Sequence, residues 1–471
     1  MSMSGTPAGL TAALGAFAAG CRAVPQELLA VAKTGVIDGI GVMLAARNEA
    51  VVKAAEAVLV DDLGVDGANG ANGANGADGA GRASVLLGSK RARPMDAAFV
   101  NATATHAFAM DDVAAGCHPS AMLMPALIAQ AEAQGASGAD VLRAWVVGFE
   151  ILAELASREP DALHSSGWHP SGQLGPVAVA GAVCNLMGLD AATTTRALGI
   201  AASMTGGLFV NFGTQTKPLH AGRITSSGLL AARLAQQGVT SAGDALEREP
   251  GLLRTISPNK RADIASPFNA TRARLEDWRL FNVGLSIKKY PMCYSLHRVA
   301  DAAIDVGRMP GLDVDALERI DVTLGKTQAW MADKHEPQTA NEAKYCIEFV
   351  VAAGVMARAA GFAQLEPGFL FDARLRTLMT KVHPTLRTDV SADDPVFCGA
   401  DRVVARQRDG KVFDSGEVPY ARGHARLPLT EADLRAKFID CATSGGRGDA
   451  AALYAHLANF EGLAPLVLNP A

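Results

Sequence analysis

The chain has 471 residues, a formal net charge of −5 and only 5 % aromatic residues. That length buries a large core and suggests two or three domains, and the mild acidity gives no electrostatic reason to expect nucleic acid or an anionic membrane as partner. Seven scattered cysteines without a C-x-x-C pair imply a reducing cytoplasm and no structural zinc.

The opening "GLTAALGAFAAGC" has an apolar body ending at Cys21, as a lipoprotein signal does, but no Lys or Arg precedes Arg22 to supply the charged leader. A cytoplasmic protein is expected. Pro25 followed by "QELLAVAKTGVIDGIGVMLAA" predicts an amphipathic helix, and "NEAVVKAAEAVLVDDLG" a second. Gly64 to Arg82 repeats glycine every third residue without proline, which suits a flexible surface loop. From Pro94 to about Gly238 come helix-like blocks that mostly end in Gly or begin near Pro. The long uncharged run Pro170 to Leu189 carries Gly, Pro, Gln and Asn, which suit a packed interior helix better than a bilayer span, so no transmembrane helix is expected. Around residue 284 the texture changes. "ERIDVTLGK" and "DRVVARQRDGKVFDSGEV" alternate like strands, the latter around Asp409-Gly410, while "NEAKYCIEFVVAAGVMARAAG" is helical. "TEADLRAKFIDCATSG" and "AAALYAHLANFEG" return to helix. The expected fold is mainly α: a discontinuous all-helical domain, residues 1–283 and 418–471, interrupted by a smaller α/β lid domain, residues 284–417.

Two stretches read almost alike, "GCHPSAMLMP" from Gly116 and "GWHPSGQLGP" from Gly167. Proline loses nothing at a first helical position, so His118 and His169 sit at or just outside helix N-termini. The positive helix end disfavours an imidazolium, which leaves each ring neutral and able to relay a proton. A helix start with a capping residue accounts for either copy alone. "NFGTQTKPLHAGR" adds Lys217 at another helix entrance, with His220 and Arg223 behind it, the composition of an anion site. "SIKKYPMCYSLHR" mixes Lys288, Lys289 and Arg298 with Tyr290, Cys293, Tyr294 and His297, which suits several carboxylates. A solvated charged face explains either basic segment alone. In "THAFAMDD", Asp111 and Asp112 lie between His106 and His118; they orient a histidine, hold a lysine, or form a solvated helix end. No H-E-x-x-H or comparable spacing occurs, so no metal is assigned.

At these residues the chain resembles the 2-methylcitrate dehydratase family (MmgE/PrpD). The motifs "DAAFVNATATHAFAMDD", "GCHPS", "GWHPSGQLGP", "FGTQTKPLHAG", "KKYPMCYSLH" and "NEAKYCIEF" occur in the family's order and span nearly the whole chain except the glycine-asparagine loop. The resemblance implies a helical domain with an α/β lid, commonly a homodimer, and chemistry without metal or organic cofactor. It places His118 and His169 at active-site histidine positions, Lys217 and Lys288 at substrate-binding lysines, and Asp111 and Asp112 on two acids of a D-F-D-D type motif. Ala109 and Met110 depart from that motif, and Cys293 stands where the decarboxylase-like branch has a histidine. The implied activity is a lyase that dehydrates or decarboxylates a small di- or tricarboxylate. In it Lys217 and Lys288, flanked by His220, Tyr290, Cys293 and Tyr294, hold carboxylates, His118 and His169 exchange a proton as general base and acid, and Asp111 or Asp112 orients an imidazole. An isomerase of an aminodicarboxylate such as iminodisuccinate, with Cys293 as a second base, is the alternative. A non-catalytic carboxylate binder is the third reading.

Overall fold

The computed structural model describes residues 9–61, 82–391 and 396–469. The opening residues and nearly all of the Gly64–Arg82 repeat lie outside them. The chain falls into two units, one made of residues up to Ala107, Asp111–Leu285 and Thr430 onward, the other of Phe108–Met110 and Ser286–Leu429.

The first unit is built from α1 (Leu10–Gly20), α2 (Gln26–Ala45), α3 (Ala50–Glu56), α4 (Pro94–Ala107), α5 (Pro119–Gln134), α6 (Gly138–Ser157), α7 (Pro170–Met187), α8 (Ala191–Ala202) and α9 (Thr216–Gln236), with shorter helices after them. Every residue from Pro119 to Ala131 and from Pro170 to Leu186 is buried. A helix apolar on all sides must be surrounded. Accordingly α4, α6 and α9 pack around α5, and α6, α8 and α9 around α7. The segment 26–48 is the one helix among the described residues long and apolar enough to cross a bilayer, and 67 % of its most apolar window is buried in the protein. The C-terminal helix Glu431–Ser444 packs on α2, where buried Asp38 meets Lys437 at 2.7 Å.

The second unit holds a four-stranded sheet in the order Val382–Arg387, Leu317–Gly325, Arg402–Gln407, Val412–Asp414; the first pair is parallel and the others antiparallel. Leu317, Ile320, Val322 and Leu324 are fully buried, whereas Glu318 and Arg319 are exposed, which is the pattern that one covered face requires. Helices His297–Gly307 and Ile347–Ala357 supply that cover. Gly410, at φ 84°, makes the turn between the last two strands. Beyond the last strand, Val418 exchanges backbone hydrogen bonds with Asp401, and Gly423 accepts from the Ile287 amide at 2.8 Å. These contacts carry the unit to Leu429 rather than to 417.

Candidate active site

The two repeats use the same local device. Gly116 and Gly167 both sit at positive φ, 68° and 79°, where an L side chain is strained. In the first repeat Ala115 also has positive φ, and Ala114 and Cys117 exchange both backbone hydrogen bonds across the pair, as in a type I′ turn. The chain thus doubles back over Asp111 and Asp112 before Pro119 starts α5. Pro119 and Pro170 occupy the first helical positions, leaving His118 and His169 as N-cap residues with non-helical backbones and no side-chain cap bond. In the second repeat the residues from Gly167 run beside 206–209: the His169 amide donates to Gly207, and Phe209 to Gly167. The serine of one repeat meets the histidine of the other, since Ser171 Oγ accepts from the His118 amide at 3.1 Å.

Lys217 is the second residue of α9. The N-termini of α5, α7 and α9 lie close together here, each bringing the positive end of its dipole. The imidazoles of His118 and His169 lie 6.0 Å apart, centroid to centroid. His106, from the last turn of α4, completes a triangle with them, 4.5 Å from His118 and 5.7 Å from His169. Asp111 Oδ2 lies 2.8 Å from His118 Nδ1 and 3.1 Å from His106 Nδ1. Lys217 Nζ donates to His106 Nε2 at 2.8 Å and lies 5.0 Å from the centroid of the Phe212 ring. His169 Nδ1 meets His220 Nδ1 at 3.1 Å, and its buried Nε2 makes no hydrogen bond within the protein. His118 is the one partly exposed ring of the three.

Burial, followed by the Lys217 charge, holds His106 and His169 well below the ordinary histidine range. The same two causes bring His220 down to about 4. Asp112 is pushed up to about 7 by burial. Its Oδ1 accepts from the Ser120 amide at 2.9 Å, so it caps α5 rather than touching an imidazole, while its carbonyl faces His118 Nδ1 at 3.1 Å. Neither acid is at a solvated helix end, and neither lysine is on a solvated face: Asp111 and Asp112 are buried, as are Lys217 and Lys288.

The remaining predicted residues lie in the second unit and are engaged there. Lys288 donates to the Ala109 carbonyl at 3.0 Å. Tyr290 donates to Asp301 at 2.5 Å, and burial followed by Asp301 raises its phenol. Cys293 Sγ lies 3.2 Å from Ser295 Oγ, and Tyr294 packs on His297 and Phe397. Sequence reasoning gave no role to His106, nor to Phe212, whose ring stands edge-on to His169 and to His164.

One nitrogen from each of His106, His118 and His169 lies within 4.8 Å of the others, and among the described residues these side chains could hold a metal ion. Both nitrogens of His106 are already engaged, by Asp111 and by Lys217. A metal would have to displace either the Asp111 contact or the Lys217 ammonium. The arrangement does suit small anions: helix N-termini, an ammonium and neutral imidazoles that exchange protons.

Residues 13–265 match the MmgE/PrpD N-terminal domain and residues 290–455 the MmgE/PrpD C-terminal domain. The chain is 30 % identical to a cis-aconitate decarboxylase of Homo sapiens over 364 residues, 74 % of this chain and 72 % of the relative. It is 28 % identical to the Mus musculus cis-aconitate decarboxylase, over 74 % of this chain and 72 % of that one. A cis-aconitate decarboxylase-like protein, oryM, of Aspergillus oryzae is 28 % identical over 444 residues, 89 % of this chain and 87 % of the relative. A site of this construction in a chain so covered belongs to an enzyme. The chain is a member of the MmgE/PrpD family.

Proposed function

We propose that the protein is a cofactor-independent lyase that removes CO₂ or water from a small polycarboxylate by moving a proton at a carbon next to a carboxylate. The observation that carries this reading is the meeting of two N-cap imidazoles and a lysine where three helices begin. Lys217 and the helix N-termini hold carboxylates and spread the negative charge that develops as the bond breaks; preorganised charge of this kind is usually the largest catalytic term. His118 and His169 exchange the proton, and their surroundings divide the task. Asp111 stands behind His118 and stabilises its charged form, whereas burial keeps His169 neutral. In decarboxylation the bond to the departing carboxylate breaks, and the electron pair left on carbon takes a proton from the histidine, which solvent replaces. In dehydration one histidine takes the carbon-bound proton and the other protonates the leaving hydroxyl. The reading uses residues of the first unit alone. Lys288, Tyr290, Cys293 and Tyr294 are not required by it.

The names of the relatives make cis-aconitate the first substrate to try. Incubation with cis-aconitate, 2-methylcitrate and iminodisuccinate in deuterated buffer separates the possibilities. Released CO₂ or a new alkene supports the lyase; deuterium at the α-carbon without elimination supports an isomerase; binding without turnover supports a carboxylate binder. His118→Ala and His169→Ala are each expected to lower kcat by about 10² to 10⁴. Wild-type turnover in both variants overturns the assignment. A cytoplasmic location and a homodimeric assembly are part of the same proposal.

A further inference from the structure

We propose that His106 is a positioning residue for Lys217, the fixed acceptor that aims the ammonium at the two N-cap imidazoles. This rests on the reading of Lys217 as a carboxylate-holding group. Asp111 accepts hydrogen bonds and cannot donate one while ionised, so the His106 nitrogen facing it, Nδ1, carries the hydrogen. The tautomer then leaves Nε2 as a lone pair. That lone pair meets Lys217 Nζ at 2.8 Å. The order of control therefore runs from Asp111 to the His106 tautomer to the direction of the lysine.

The lysine stem needs such a hold. Four rotatable carbons give an ammonium many positions, and only fixed partners select one. Among the partners here are the His106 lone pair and the face of Phe212, with Lys217 itself buried. His106 is in turn immobile: it is buried at the end of α4, edge-on to His118 and stacked near His169. Its burial also keeps the ring uncharged, so the acceptor persists at neutral pH.

Three substitutions separate the two ends of the ring. In His106→Gln the longer amide can put an oxygen where Nε2 was and so keep an acceptor for Lys217. In His106→Asn the shorter amide reaches only the Asp111 end, and His106→Leu removes both. Steady-state kinetics and titration calorimetry use whichever of the three carboxylates above binds the wild type most tightly. His106→Leu and His106→Asn are expected to raise KM and Kd about tenfold, the range for a lost hydrogen bond to a charged group, with a smaller change in kcat. His106→Gln should recover most of that loss. Added to Lys217→Ala, His106→Leu should cost no further binding, because the two act through one contact. A second readout needs no substrate. In histidine-labelled ¹⁵N spectra, Lys217→Met should shift the His106 Nε2 resonance and leave Nδ1 in place.

Full additivity of the two substitutions overturns the proposal, as does a His106→Gln variant no better than His106→Asn, or an unmoved Nε2 resonance. Unchanged binding in Lys217→Ala itself removes the underlying role of the lysine, and the inference with it; the single variants tell these failures apart.

Discussion

Asp111 presents one oxygen to two ring nitrogens, and a carboxylate in that position dictates both tautomers at once. Asp111→Asn preserves the size of the side chain but offers an amide hydrogen, which favours the opposite tautomer in either ring. The same change in a Ser-His-Asp triad costs about 10⁴ in kcat. Here a loss of at least about 10² in kcat with little change in KM is expected from steady-state kinetics; a variant that turns over normally would show that neither tautomer matters. A neighbouring histidine gives a pH signature. His164, edge-on to Phe209 and Phe212, is lowered to about 4 by burial first and by the charges of His118 and Lys217 after it. Unfolded histidine takes up a proton near pH 6.5, the folded ring only near 4. Its contribution to stability is therefore complete above about pH 6.5 and is lost as the pH falls toward 4, by something of the order of 3 kcal/mol over the window. His164→Phe removes this dependence. Its melting temperature relative to wild type should climb steadily as the pH is lowered from 7 to 4.5, and a constant difference would mean that the buried ring takes its proton as readily as a free one.

At the scale of elements, the Gly-x-His-Pro-Ser repeats show what local sequence can specify. A left-handed glycine, a proline at the first helical position and an apolar run after it depend on near neighbours only, so His118 and His169 could be placed without coordinates. Lys217 was legible for the same reason, although the helix begins at Thr216, before Pro218. His106 was not. Its partner Asp111 returns through Ala109, a non-glycine residue at φ 53° that carries no turn signal, and its other partner lies 111 residues away. The available clue was a histidine five positions before an acid at a helix end. Asp111 and Asp112 look equivalent by adjacency, yet one faces imidazoles and the other a helix amide, because consecutive side chains outside a helix diverge. The second repeat also depends on a close approach. A Cβ on Gly172 would lie 2.0 Å from the Gly206 carbonyl oxygen, which belongs to the strand-like segment holding the His169 amide. Gly172→Ala must push backbone from backbone, so it should cost about 1 to 3 kcal/mol in stability and lower kcat by displacing His169. Calorimetry and kinetics on the same preparation check both; loss of stability with full kcat would separate the packing from the site.

For the molecule as a whole, the sequence carried the change of texture near residue 284 and the return to helix near the C-terminus, since both are shifts of period. What returns to what is a matter of long-range pairing that periodicity does not encode. Glu431–Ser444 closes against α2 through a nearly dry ion pair: Lys437 Nζ meets Asp38 Oδ1 at 2.7 Å, with side chains 6 % and 4 % exposed. Two opposed effects decide what this pair contributes. Desolvating both charges is costly, and their attraction repays it only when both are present, so removing one partner leaves an uncompensated buried charge. Asp38 is also close enough to raise Asp112, the acid that caps α5, so the added negative charge falls beside the entrance of a central helix. Lys437→Met should then destabilise by about 3 to 5 kcal/mol, while Asp38→Leu combined with Lys437→Met should lie near wild type or above it. Differential scanning calorimetry at one scan rate reads both. A single variant as stable as wild type would mean that water reaches Asp38 in the folded protein, and a double variant as unstable as the single would mean that the ion pair itself, rather than the packing around it, holds the C-terminal helix to α2.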